Sequence, residues 1–565
     1  MQRTCANSWC KASFEITDDD LVFIETVSPV FAEKKFPIPP PSFCPDCRMQ
    51  QRMMWRNERF IHRSACSRCK KQMISQYPSE SPYTVYCQEC FWGDDWSALS
   101  FGQTFDFGRS FMDQFGELLT STPLLALINT QTENSEYCHR IYDGRNNYLS
   151  FIALFEPENL LHTFYTMSCK DCADITIAQY SELCYEVTDA ERCYHCQYSQ
   201  RIRNCRDCFF IEDCIGCSNC FGCKNFHQKQ YCIFNEQKTP EEFVAFLRGC
   251  DFGSAAFVRD MQEKARNFFL QLPNRPVVIV NAENVTGAFI FNSRNCTNVY
   301  DVFECEELKN AVQIERSHHC RDCYGMGNAS FCYQGVTLGI SPSHHILFSA
   351  EVLSGCSEML YCYDCYAGCQ NCFGCVGLKK ASYCIFNRQY TKEEYEKLST
   401  KIIEHMKESA EWGKTFPAEI CPVPYNESVA QEYFPLTKEE SQQRGWQWRD
   451  VIDEMPAVAK VIPAKKLPDA IADIPDDILE WAIECAVTKR PFRIIKQELE
   501  FYRLRNIPIS RLHPDERHRR RMLQRNPRRL WKRACGKCGK GMETTYSPER
   551  PEIVYCEECY LKTVY

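Results

Sequence analysis

Three observations in the amino-acid sequence predict a mainly β chain with flanking helices, in which two parallel β-helix (solenoid) segments lie between cysteine-paired terminal modules. The first is an internal repeat. Asn219-Cys-Phe-Gly-Cys223, Tyr231-Cys-Ile-Phe-Asn235 and Glu241-Glu-Phe243 return 152 residues later as Asn371-Cys-Phe-Gly-Cys375, Tyr383-Cys-Ile-Phe-Asn387 and Glu393-Glu-Tyr395. The second is a spacing of 21 between Cys172, Cys193 and Cys214, shared by Cys184 and Cys205 and by Cys196 and Cys217. A period in the low twenties marks stacked supersecondary units. The third is a match between the two ends: Cys66, Cys69, Cys87 and Cys90 correspond to Cys535, Cys538, Cys556 and Cys559 at a constant offset of 469.

Composition narrows the class. A chain of 565 residues with 44% hydrophobic and 13% aromatic content has material for several ordinary cores. Its net charge of −8 argues against a protein that coats nucleic acid along its whole surface. The outlying number is 40 cysteines. Met1-Gln-Arg-Thr-Cys5 leads into a metal knuckle with no apolar signal region, and apolar runs such as Leu124–Ile128 are too short to cross a bilayer. The expectation is a cytoplasmic protein whose cysteines are thiols or metal ligands rather than disulfides.

In order along the chain, residues 1–60 read as a treble-clef finger: Cys5-x4-Cys10, a proline hinge, then Cys44-Pro-Asp-Cys47 opening a helix. Residues 61–133 read as a zinc ribbon with a helical and aromatic extension. Residues 134–238 form the first solenoid segment. Leucine-rich repeats share the period, but Leu183 is the only leucine between Cys169 and Asn235. A parallel β-helix fits better, turning at Asn, Asp and Gly with small cysteines inward. The 21-residue spacing predicts columns of Cys172 over Cys193 over Cys214. Residues 239–275 read as a helical insert and 276–390 as the second solenoid, where Cys296–Cys320 and Cys332–Cys356 are spaced by 24. Thr391-x-x-Glu394 is a capping box opening a 391–412 helix with Tyr395, Leu398, Ile402 and Met406 on one face. Residues 413–478 read as a proline-rich strap, 479–533 as a degenerate treble clef with a basic helix, and 534–565 as a second ribbon.

The chemistry concentrates in the cysteines. Four thiolates in a C-x2-C-x17-C-x2-C array close a tetrahedron around zinc and leave no open position for water or substrate. Three structural Zn2+ are therefore expected, on Cys5/Cys10/Cys44/Cys47, Cys66/Cys69/Cys87/Cys90 and Cys535/Cys538/Cys556/Cys559. At the fourth position His513 and Glu516 stand where Cys44 and Cys47 stood, and only Cys485 lies upstream, so loss of metal is the reading. The run Cys214-x2-Cys217-x2-Cys220-x2-Cys223 approaches a ferredoxin motif but lacks its last gap and proline. It reads as packed thiols, with a zinc or iron–sulfur site as alternatives, and so does Cys365/Cys369/Cys372/Cys375.

Arg48, Arg52 and Arg56, and their equivalents Arg517, Arg521 and Arg525, recur every four residues and share one helix face. They predict contact with the phosphates of RNA or DNA, or else ion pairs with an acidic face of this same chain. No Walker loop, dinucleotide fingerprint or nucleophile elbow occurs, so no catalytic residue, small-molecule substrate or membrane partner is expected. The pairs His318-His319 and His344-His345 read as solvated loop residues.

Together Cys44-Pro-Asp-Cys-Arg48, Asn371-Cys-Phe-Gly-Cys375, Tyr433-Phe-Pro-Leu-Thr437 and Tyr555-Cys-Glu-Glu-Cys-Tyr560 resemble an uncharacterised family of cysteine-rich treble-clef and zinc-ribbon proteins of small-genome, candidate-phyla bacteria. The resemblance spans the whole chain. It implies zinc and a cytoplasmic bacterial setting, and it carries no activity with it. The functional expectation is a non-enzymatic zinc-stabilised scaffold whose basic helices bind nucleic acid. The alternative is a protein–protein assembly scaffold using the solenoid faces, and a third is a metal-cluster or redox protein.

Overall fold

The structure is a computed structural model that describes residues 1–296, 299–306, 312–318, 324–326, 350–352, 355–450 and 457–564. It is mainly β, with parallel solenoids and flanking helices. The chain forms two compact units, Met1–Leu127 with Val277–Arg449, and Ile128–Pro276 with Asp450–Tyr565. Each unit thus joins one terminal module to one solenoid, but crosswise: the N-terminal module belongs with the second solenoid and the C-terminal module with the first.

In the unit built on Ile128–Pro276, one solenoid turn takes 12 residues, with Phe164, Thr176 and Thr188 in parallel register and then Gln200, Glu212 and Lys224. The local reason is a three-residue rule. Every third residue from Asn159 to Phe234 has left-handed backbone, including Ile177 (φ 53°), Tyr180 (φ 49°) and Leu183 (φ 60°). Four such bends close a turn. Left-handed backbone costs an L-residue about 1–2 kcal/mol, least for Asn and Asp. At one corner those residues bond up the stack, Asn134 to Asn146 (3.0 Å), Asn146 to Asn159 (3.3 Å) and Asn159 to Asp171 (2.8 Å).

The residue after each bend points inward. Cys169, Cys172, Ile175, Ala178, Ser181, Cys184, Val187 and Ala190 are all buried. Four inward side chains from 12 residues meet in a narrow core, which selects small residues. The 21-residue columns are therefore corrected. The true column is Cys172, Cys184, Cys196, Cys208, Cys220 and Cys232, each 12 residues on. Twenty-one is a multiple of three but not of 12, so it keeps the inward phase and lands on another side.

A thirteenth residue is absorbed by two consecutive left-handed bends. Phe155 and Glu156 do this between Phe151 and Phe164. In the other unit Ala367 and Gly368 do the same between Ser357 and Gln370, which accounts for the longer gap from Cys365 to Cys369. The inward residues there are Cys356, Met359, Cys362, Cys365, Cys369, Cys372, Cys375, Leu378, Ala381 and Cys384. The spacings Cys296–Cys320 and Cys332–Cys356 and both histidine pairs fall wholly or partly outside the described residues.

Each solenoid is covered on chosen sides. In the Ile128–Pro276 unit, Phe209, Phe210 and Phe221 lie under the helices Pro240–Arg248 and Ala255–Phe269, while Leu161, Ala173 and Tyr185 pack on Leu499 and Tyr502. In the Met1–Leu127 unit, Tyr361, Phe373 and Phe386 join Phe111, Phe115, Trp412 and Phe416 in one aromatic core. The helix Lys392–Glu408 starts at the expected Thr391/Glu394 box and buries Tyr395, Ile402 and Met406. Residues 413–450, read as part of a strap, put Phe416, Tyr425, Val429 and Trp446 into that core.

Candidate metal centres

Among the described residues, three clusters bring four cysteine sulfurs within 4.8 Å of one another: Cys5/Cys10/Cys44/Cys47, Cys66/Cys69/Cys87/Cys90 and Cys535/Cys538/Cys556/Cys559. Their architecture follows from local sequence. In the first, paired strands Gln2–Thr4 and Ser13–Glu15 bracket the knuckle, and Pro45 starts the helix Pro45–Met54 with Cys44 as its N-cap. In the ribbons, antiparallel hairpins His62–Ala65/Gln72–Ser75 and Trp531–Ala534/Gly541–Thr544 carry the first cysteine pair. Left-handed Lys70 and Gly539 close the two knuckles. Cys87 and Cys556 then lead into the short helices Gln88–Trp92 and Glu557–Val564.

The donor sets fit a metal. Sulfur separations are 3.6 Å for Cys10–Cys44, 3.8 Å for Cys69–Cys87 and 3.7 Å for Cys538–Cys556. A tetrahedron of sulfurs about 2.3 Å from zinc has edges of about 3.8 Å. Backbone N–H groups already favour thiolate: Cys44 donates to Cys5 Sγ (3.3 Å), Cys87 to Cys66 Sγ (3.3 Å) and Cys556 to Cys535 Sγ (3.1 Å). Burial pushes the Cys66 thiol up, but N–H donors from Cys87, Cys69 and Arg68 outweigh it and bring the group to about 6. Cys535 reaches about 6 by the same balance.

Cys485, His513 and Glu516 form no such cluster among the described residues. Glu516, at the Cys47 position, accepts from Arg519 Nε (2.7 Å) and Arg520 Nε (2.8 Å). His513 Nδ1 accepts the helix N–H of Asp515 at 3.1 Å. The structure also supplies a residue missed in sequence. Thr488 directly follows Cys485-Ala-Val and stands just before left-handed Lys489, the place Cys69 takes before Lys70.

Among the described residues, the solenoid cysteines form no further cluster of this kind. Cys214, Cys217, Cys220 and Cys223 are successive inward residues of one turn and are at most 1% exposed. They belong to none of the three clusters, and nor do Cys365, Cys369, Cys372 and Cys375. Burial drives the Cys169 thiol up to about 12. Its S–H points at the carbonyls of Met167 and Ala178, each at 3.4 Å.

The arginine stripes expected to face phosphate are turned inward. Arg517 donates to Glu498 (2.9 Å) and Asp174 (3.2 Å), Arg521 to Asp174 (2.5 Å) and Thr176 (3.0 Å), and Arg525 to Asp189 (2.9 Å). All three arginines are buried, and Asp174 and Glu498 are 0% exposed. In the N-terminal module Arg52 is 1% exposed, Arg56 pairs with Glu58 at 2.8 Å, and Arg48 is half-buried. The helix period says which residues share a face. The carboxylates that rungs 174 and 189 supply at left-handed corners decide where that face points. The basic residues left outside on this helix are Arg519 and Arg520, both carrying the Glu516 contact.

No family model, curated protein or solved structure matches this chain. No helix among the described residues is long and apolar enough to cross a membrane.

Proposed function

We propose that this protein is a non-enzymatic scaffold, stapled by three structural zinc ions, that presents solenoid faces to protein partners. The observation that carries the reading is the inward placement of Arg517 and Arg521 on buried Asp174. The groups that would have met phosphate hold the fold instead. Zinc suits the three clusters because four sulfurs at these separations make a closed, redox-inactive tetrahedral site, which supplies folding free energy rather than chemistry. What remains outward is a regular ladder in which Glu133, Arg145, Glu158, Lys170, Glu182, Tyr194 and Arg206 stack in register. Evenly repeated side chains on a stiff rod suit an extended protein contact.

The test is fluorescence anisotropy with generic single-stranded and duplex RNA and DNA across a salt series. The scaffold reading expects no saturable binding at physiological salt. Tight binding that weakens by about 0.7–0.9 log units per log unit of salt for each phosphate contacted would restore the nucleic-acid reading.

A further inference from the structure

The chain contains its own comparison for the C-terminal finger. As in the ribbons, the Cys485 loop closes with a Cys485 N–H to Arg490 carbonyl bond of 3.0 Å and a Lys489 N–H to Cys485 carbonyl bond of 3.2 Å. The Cys66 loop has the same pair, to Lys71 and from Lys70, each at 3.0 Å. Lys489 and Lys70 are left-handed at φ 63° and 64°. Cys485 Sγ still accepts an N–H, from Thr488 at 3.5 Å, as Cys535 Sγ accepts one from Lys537 at 3.4 Å. His513 N-caps the helix Pro514–Gln524, as Cys44 N-caps Pro45–Met54, with proline following in both. The local backbone of the knuckle and of the helix start is kept, and the positions that carry cysteine in the other fingers hold Cys485, Thr488, His513 and Glu516.

Ion pairs gather at the Glu516 position. Glu516 has a side chain only 2% exposed, and Arg519 and Arg520 converge on its two oxygens. Two guanidinium groups carry the charge of one divalent ion, and Arg490 pairs with Asp515 at 2.6 Å beside them. The Ile494, Leu499 and Tyr502 core closes beneath the knuckle. We infer that the fourth finger is a zinc site converted to an ion-pair lock: it folds without metal, and it regains a zinc site when thiols return to positions 488, 513 and 516. This rests on zinc filling the other three clusters.

The experiment uses the full chain and reads metal per chain by elemental analysis, with cobalt(II) substitution to count tetrahedral thiolate sites. Wild type should hold three ions, and Thr488→Cys/His513→Cys/Glu516→Cys should hold four. In parallel, wild type is stripped with a chelator and followed by hydrogen exchange. Amides of 485–524 should keep their protection while those of 5–54 lose it. Four ions in wild type, three in a folded triple variant, or joint loss of protection in both segments would overturn the inference. Should the triple variant fail to fold, the exchange result on wild type decides. Absence of zinc from wild type would instead overturn the reading of the three clusters.

Discussion

Arg521 donates to Asp174 across 2.5 Å, and that carboxylate is wholly buried at a left-handed corner of the solenoid. Arg517 reaches the other oxygen of the same group. Removing one partner of a buried pair leaves an uncompensated charge, which costs about 3–5 kcal/mol. Arg521→Gln should therefore lower the stability of the Ile128–Pro276 unit by that order in urea unfolding. Arg259→Gln, whose ion pair with Asp260 is exposed on both sides, should cost under about 1 kcal/mol. Equal effects would place Arg521 outside the buried network.

Acid should undo the same network. Burial alone would raise the Glu498 carboxyl, but Arg517 and His162 beside it bring it down to about 2. Hydrogen bonds from Arg519 and then Arg520 hold Glu516 at about 2 as well. Unfolded glutamate titrates near 4.3. A depressed carboxylate contributes stability that is complete above the unfolded value and lost as pH falls through the folded one. The contribution of these two carboxylates to the urea midpoint should be complete above about pH 5 and drop between about 4 and 2. A flat profile through that window would remove both groups from the account.

The three-residue rule predicts opposite outcomes at neighbouring positions. Leu183 sits left-handed and interrupts the ladder running from Asn134 to Asp171. Leu183→Asn should stabilise by about 0.5–1 kcal/mol, since asparagine tolerates that backbone. One residue on, Cys184 is buried in the narrow core, and Cys184→Phe should overpack it at a cost of at least about 1–3 kcal/mol. Thermal melts of the two variants check both signs. Destabilisation by Leu183→Asn together with tolerance of Cys184→Phe would break the rule.

The terminal clusters and the solenoid class were legible because their spacing is chemical: four thiols must reach one ion, and stacked turns must repeat. The turn length was hidden because Ile175, Ala178, Val187 and Ala190 share inward slots with cysteine. The cysteines alone then show the 21-residue coincidence rather than the 12-residue turn. Thr488 was invisible as a former ligand position until the backbone of Lys489 was known. The crosswise pairing of modules and solenoids had no local signal, since repeats reveal which segments are alike and not which ones pack together.

On this reading the cysteine and arginine chemistry of the chain holds its fold together. Native mass spectrometry of gently purified protein tests it most directly. The expected result is a single species carrying three zinc ions, no iron and no bound nucleic acid. A chain carrying an iron–sulfur mass, or one that retains oligonucleotide at physiological salt, would contradict it.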